Sequence, residues 1–202
     1  MLETNGVTVR GGVEVDAFVG EGERVEGVRL AGGEVVPADL VVVGVGAQAD
    51  VMIARKSGLP IGDLGGVVCD AQLRVQGVPG LYAAGDVCEY ASTVHGRSLR
   101  VEHEEHAAAQ GATVARTILG SEDPHTEIPY FFSDLADWLS LEYVGPAADW
   151  DAEIANGDFA TGVDSVTYLD AERKVVACLS IGGAADLDAA RERIVPGEPV
   201  PA

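Results

Sequence analysis

The decapeptide Gly77-Val78-Pro79-Gly80-Leu81-Tyr82-Ala83-Ala84-Gly85-Asp86 constrains this chain more than any other stretch. Proline presets φ and the glycine after it relieves the geometry, so residues 78–80 read as a turn. Residues 81–84 then read as a short buried strand, ended abruptly by Gly85 and Asp86. Small residues let a flat ligand lie close to backbone. A carboxylate at a strand's carboxyl end can accept hydrogen bonds from sugar hydroxyls, at the edge where open α/β sheets bind ligands. The same residue types suit Asp86 equally well to capping a following helix.

Downstream, residues 102–119 carry a helical pattern that stops at Gly120. Ala107, Ala108, Gly111, Ala112 and Ala115 give this helix a small face able to pack closely, and its acidic first turn suits the helix dipole. Between Cys88 and Leu99, Ser92, Thr93, His95 and Gly96 mark a surface loop. His103 and His106 are three apart and can share a helix face with Glu102 nearby, but this is not the four-apart spacing of zinc hydrolases. An acidic helix start more commonly complements the dipole, so no metal is expected.

Upstream, residues 7–9, 13–19, 25–30 and 35–45 read as strands separated by glycine turns. Leu40-Val41-Val42-Val43 is the kind of run that is buried on both faces of a sheet. A β-meander feeding one central strand is expected, with Gly44 and Gly46 at its exit, where a tight turn alone would also call for them. Left unpaired, residues 40–45 would expose apolar surface. Residues 51–57 read as a helix stopped by Gly58 and Pro60, and residues 67–70 and 73–75 as short strands.

The polar segment Ser121-Glu122-Asp123-Pro124-His125 marks a domain boundary. Beyond it, residues 138–144 form a strand broken by Gly145-Pro146, and residues 165–169 and 175–181 form a hairpin turning at 170–174. Residues 186–194 form an amphipathic helix, and the tail from 196 to 202 frays.

Composition narrows the function. With 13 Lys plus Arg against 33 Asp plus Glu, the net charge of -20 opposes nucleic acid as a partner. It also disfavours an acidic protein partner unless a local basic patch exists. Cys69, Cys88 and Cys178 are too few and too far apart in sequence for a disulfide framework or a Cys-x-x-Cys pair, and read as buried thiols. No apolar run approaches the roughly 20 residues of a bilayer helix. The start Met1-Leu2-Glu3-Thr4 lacks the features of a signal peptide, so a cytoplasmic location is expected.

Together with Arg100-Val101-Glu102-His103-Glu104-Glu105-His106-Ala107, the opening decapeptide resembles the second flavin-binding motif of the FAD-dependent pyridine nucleotide oxidoreductases. The resemblance is above all to the subgroup of bacterial ferredoxin and rubredoxin reductases and apoptosis-inducing factor. It implies an α/β fold, part of a Rossmann-like architecture for two dinucleotides, followed by an α+β carboxyl-terminal interface domain. Residues 1–50 would close the NAD(P)-binding domain, 51–122 would form the second segment of the FAD-binding domain, and 123–202 the dimerisation or interface domain.

The resemblance further implies roles for single residues. Asp86 would bind the ribityl chain of FAD, and Gly85 would let the backbone approach. Glu102 and His103 would position the flavin and nicotinamide rings from the helix start. Phe132, in Pro129-Tyr130-Phe131-Phe132-Ser133-Asp134 where the family commonly has tryptophan, would cover the flavin, although an aromatic here also suits ordinary core. Gly44 and Gly46 would border the nicotinamide.

The implied cofactors are FAD and NAD(P)H, and the implied acceptor is a small redox protein or a quinone-like molecule. No Gly-x-Gly-x-x-Gly fingerprint occurs in the chain, whereas the family carries two upstream of the region matched here. The expectation is therefore a fragment, inactive alone, completed by a missing amino-terminal half or acting as a homodimer. The competing expectation is a noncatalytic interaction module derived from a flavoenzyme.

Overall fold

The computed structural model describes residues 2–146, 149–158 and 163–194. The chain divides into two compact units, Met1–Gln48 and Ala49–Ala202. No helix among the described residues is long and apolar enough to cross a membrane.

The first unit is an antiparallel meander of β1 (Val15–Glu21), β2 (Arg24–Leu30) and β3 (Val35–Pro37) in that spatial order. Glycine is required inside it, because a Cβ on Gly27 would lie 2.7 Å from the Val36 carbonyl oxygen. Residues 7–9 do not form the strand that their alternation suggests, and neither do residues 40–43. Leu40, Val42, Val43 and Val45 are instead between 58% and 87% exposed. The physical reason is pairing: a strand buried on both faces needs neighbours to take its N–H and C=O groups, and no described residue pairs with this run. The expected apolar exposure is present, without the strand.

The second unit opens with α1 (Met52–Lys56), whose first amide is held by the Asp50 carboxylate at 3.0 Å. It is followed by Gly58 at φ 73°. A three-stranded sheet comes next, in the order β4 (Val67–Cys69), β5 (Cys88–Ser92), β6 (Arg97–Leu99), with β4 parallel to β5 and β6 antiparallel to it. Three expectations fail here. Neither residues 73–75 nor residues 81–84 form a strand: Val75 bridges Cys69 and Arg74 bridges Tyr82, at one point each. The expected surface loop is the β5–β6 hairpin, in which Cys88, Tyr90 and Leu99 are buried in the core with Val67, Cys69, Leu73 and Val75. Its polar residues hold the turn: the Ser92 hydroxyl lies 2.9 Å from His95 Nδ1.

Helix α2 (Glu104–Ile118) begins two residues later than its sequence pattern suggests and inverts the expected packing. Its buried positions are His106, Gln110, Thr113 and Thr117, a polar stripe at helical spacing, whereas Ala108, Ala112 and Ala115 are exposed. Hydrogen bonds accommodate Gln110, Thr113 and Thr117, whereas neither ring nitrogen of His106 has a partner among the described residues. The Thr117 hydroxyl donates to the Gln72 carbonyl at 3.0 Å, and the Thr113 hydroxyl meets His125 Nδ1 at 3.0 Å. The rings of Tyr90, His106 and His125 pack together, His125 edge to face against both of the others, with the two histidine centroids 4.9 Å apart.

The remainder is a five-stranded antiparallel sheet backed by one helix. The strands are β7 (Tyr130–Leu135), β8 (Leu139–Val144), β9 (Ala152–Asp158), β10 (Val163–Leu169) and β11 (Val175–Ile181), ordered β7-β8-β11-β10-β9, and the helix is α3 (Leu187–Ile194). Strand β9, Ala-Glu-Ile-Ala-Asn-Gly-Asp, carries no β-former except Ile154 and had no signal of its own; its neighbour β10 makes it a strand. A second core of Ile128, Val144, Leu169, Val175, Cys178 and Ile194 lies under this sheet. The expected frayed tail lies outside the described residues.

Candidate functional site

The Gly85-Asp86 corner is built by backbone pairing on one side and by a helix on the other. Pro79 and Gly80, the latter at φ 78°, turn the chain so that Leu81 N–H reaches the Val78 carbonyl at 3.3 Å. Residues 81–83 are then clipped to 73–75: Val75 N–H donates to Leu81 O at 2.9 Å, and Ala83 N–H to Leu73 O at 3.2 Å. Gly85 follows at φ 80°, a left-handed conformation that favours glycine, and its N–H donates to Gln110 Oε1 on α2 at 2.7 Å. Asp86 is exposed, and its carboxylate has no hydrogen-bond partner among the described residues.

Arg100 ties this corner to the start of α2. Its Nη1 donates to the Asp86 carbonyl oxygen at 3.1 Å and to Glu102 Oε1 at 2.6 Å, while Nε donates to the Leu64 carbonyl at 2.6 Å. His103 is the N-cap residue of α2, and no side chain caps the helix, so its first-turn amides lack a side-chain acceptor. The His103 ring stacks on Phe131, with centroids 5.0 Å apart and planes at 15°.

A cleft of about 330 Å³ opens beside this stack, lined by His103, Glu104, Glu105, Tyr130, Phe131 and Phe132. Phe132 stands at its rim 62% exposed and is no core residue. The Tyr130 hydroxyl donates to Glu142 Oε1 at 2.8 Å, and this hydrogen bond holds its pKa up to about 12.

The structure thus brings together five of the seven residues that the sequence singled out. Gly85, Asp86 and Glu102 meet through Arg100 and Gln110, and Glu102 leads directly into His103, which shares the cleft with Phe132. Gly44 and Gly46 lie in the first unit, on the exposed segment after β3, with no atom within 4 Å of where a Cβ would sit. The His103 ring stacks on Phe131, while the His106 ring packs among Tyr90 and His125. Sequence reasoning overlooked Arg100 and Gln110. Arg100 stood inside the quoted motif, and Gln110 was a lone amide one turn beyond His106 on an alanine-rich helix.

A free carboxylate, an uncapped helix start and an exposed aromatic ring suit a flat ligand that carries hydroxyls and an electron-poor ring. Residues 1–112 match the model of the pyridine nucleotide-disulphide oxidoreductases. The chain belongs to this family. Within the family it is 35% identical, over 82% of its length, to the 5,5'-dehydrodivanillate O-demethylase ferredoxin reductase subunit of Sphingobium sp., of which it covers 40%. It is 32% identical, over 80% of its length, to the ferredoxin--NAD(+) reductase component of the anthranilate 1,2-dioxygenase system of Burkholderia cepacia, of which it covers 39%.

Among solved family structures, the ferredoxin reductase for the CYP199A2 system from Rhodopseudomonas palustris superposes with a TM-score of 0.88 at 33% identity. That match covers 98% of this chain and 48% of the other. The chain therefore spans about two-fifths of the length of these curated relatives. The fold is the α/β, Rossmann-like one that the sequence led us to expect.

Proposed function

We propose that this chain is the flavin-facing, carboxyl-terminal part of an FAD-dependent NAD(P)H oxidoreductase of the cytoplasm, which passes electrons to a small redox protein or a quinone-like acceptor. The relatives named as ferredoxin reductases support the reaction class. The observation that carries the reading is the shared guanidinium of Arg100, which gathers the Asp86 corner and Glu102 to one end of α2.

In this reading residues 1–50 close the NAD(P)-binding domain, with Gly44 and Gly46 beside the nicotinamide. Residues 51–122 complete the FAD-binding domain, and residues 123–202 form the interface domain, through which a homodimer or a missing amino-terminal half would be joined. The residues present fit the flavin end of FAD. Asp86 accepts hydrogen bonds from the ribityl hydroxyls, and Gly85 brings backbone close. The uncapped amides of α2 and the helix dipole favour negative charge at the ring edge. Glu102 and His103 set the ring's position, and Phe132 covers its face.

When bound, FAD supplies the exchange between hydride transfer from a nicotinamide and electron transfer to the acceptor. The protein's own part is to orient the rings, exclude water and set the local charge. No fingerprint loop for a pyrophosphate lies in these residues, so the chain alone binds FAD weakly and shows no NADH-dependent dye reduction.

Titrating FAD to millimolar concentration into the isotopically labelled chain tests the reading. The amide signals of Gly85, Asp86, His103 and Glu104 should shift together and saturate. Saturable shifts elsewhere with these four unmoved, or no shifts at all, would remove it.

A further inference from the structure

The buried stripe of α2 holds four polar side chains, and three of them address residues outside the candidate site. Thr117 reaches the Gln72 carbonyl, Thr113 reaches His125, and His106 packs against Tyr90 and His125. Gln110 is different. It is fully buried, and its Oε1 reaches across to Gly85 N–H at 2.7 Å, one residue before the free carboxylate of Asp86. A Cβ on Gly85 would stand 3.7 Å from the Ala107 Cβ, so this corner lies directly on α2.

We propose that Gln110 is a positioning residue for the flavin: by accepting the Gly85 N–H it fixes the corner against α2 and aims the Asp86 carboxylate. The proposal rests on the flavin reading above. Two observations argue against Gln110 being simple filler. An amide is an expensive side chain to bury completely, and its Nε2 has no hydrogen-bond partner among the described residues. The side chain is therefore held for its oxygen. The left-handed Gly85, at φ 80°, turns its N–H toward that oxygen, and the Asp86 carbonyl is held by Arg100. The corner is clamped at both peptide groups, which leaves the Asp86 side chain as its outward-facing part.

The test compares Gln110→Met, which keeps the length of the side chain and deletes the acceptor, with Gln110→Glu, which keeps a carbonyl-type oxygen at the same reach. In the full chain, hydrogen exchange at the Gly85 amide and the FAD concentration that half-saturates the Asp86 signal are measured together with the melting temperature. Gln110→Met should speed Gly85 exchange about tenfold or more and raise the half-saturating FAD concentration about tenfold. Gln110→Glu should restore both toward the wild-type values.

A filler role predicts the opposite ranking, with the methionine variant tolerated better than the charged one. Gly85 exchange and FAD response within about twofold of wild type in Gln110→Met would overturn the proposal and leave the flavin reading intact. Failure of the wild-type chain to respond to FAD would overturn the flavin reading and the proposal with it. Fast Gly85 exchange in Gln110→Met would then show only that Gln110 holds the corner.

Discussion

The Arg100 guanidinium donates to the carbonyl oxygen of Asp86 at 3.1 Å, so a cation fourteen residues downstream fixes the corner on which the candidate ligand contact is built. The same side chain serves Leu64 and Glu102, which makes it a three-way tie. Arg100→Met should lower stability by about 2 kcal/mol, as three hydrogen bonds to a partly buried cation are lost. Arg100→Lys should not restore it, because an ammonium lacks the planar fork that spans three acceptors. Urea denaturation of the three proteins decides this.

Glu89 gives a second prediction. It is buried, and its Oε2 accepts Leu64 N–H at 3.0 Å and Gly66 N–H at 3.2 Å. Glu89→Leu leaves two amides unpaired and should cost roughly 2–5 kcal/mol. The loop is also shaped around this carboxylate, since a Cβ on Gly62 would fall 2.1 Å from Oε1. Gly62→Ala should therefore destabilise as well, and combining the two changes should cost less than their sum.

The histidine pair sets a pH dependence. Burial, with the neighbouring His125 charge next in weight, lowers the His106 pKa to about 4, and burial followed by Arg116 lowers that of His125 to about 4. Both are held neutral in the fold, so the unfolded chain takes up protons first as pH falls. Their stabilisation is complete above about pH 6.5 and is lost progressively toward pH 4, on the order of 3 kcal/mol each. Replacing both with asparagine should flatten the melting temperature across that window. An unchanged slope would show that carboxylates elsewhere govern the acid limb.

How far the sequence could be read depended on whether an element carries its own reason for forming. The β10–β11 hairpin was legible because Asp170 and Lys174 mark its turn, where Lys174 N–H donates to Asp170 Oδ1 at 2.8 Å, and branched residues mark its strands. The run from Leu40 to Val43 was equally apolar and misleading, because its strand state depends on neighbours that the described residues do not supply. Asp86, Glu102, His103 and Phe132 stood out through motif and residue type. Gln110 did not, because a glutamine on a helix usually faces water, and only the packing of α2 shows that this one is buried.

Phe132 and the segment after β3 provide a matched pair of predictions about exposed apolar groups. Phe132→Ala removes a ring that touches solvent on most of its surface, so the melting temperature should stay within about 2 °C of wild type. The FAD-induced shift at His103 should shrink nonetheless.

Replacing Val42 and Val45 with lysine should reduce both self-association in sedimentation and the binding of an apolar dye. The urea midpoint should not fall.

The inverted packing of α2 also bears on how this part of the molecule can move. Greasy surfaces slip over one another at little cost, but donors and acceptors that meet on three successive turns forbid both rolling and creeping by a residue. The helix and the Gly85 corner must travel as one rigid block or not at all. A disturbance felt at the start of α2 should therefore be transmitted whole to the Gly85 corner that carries Asp86.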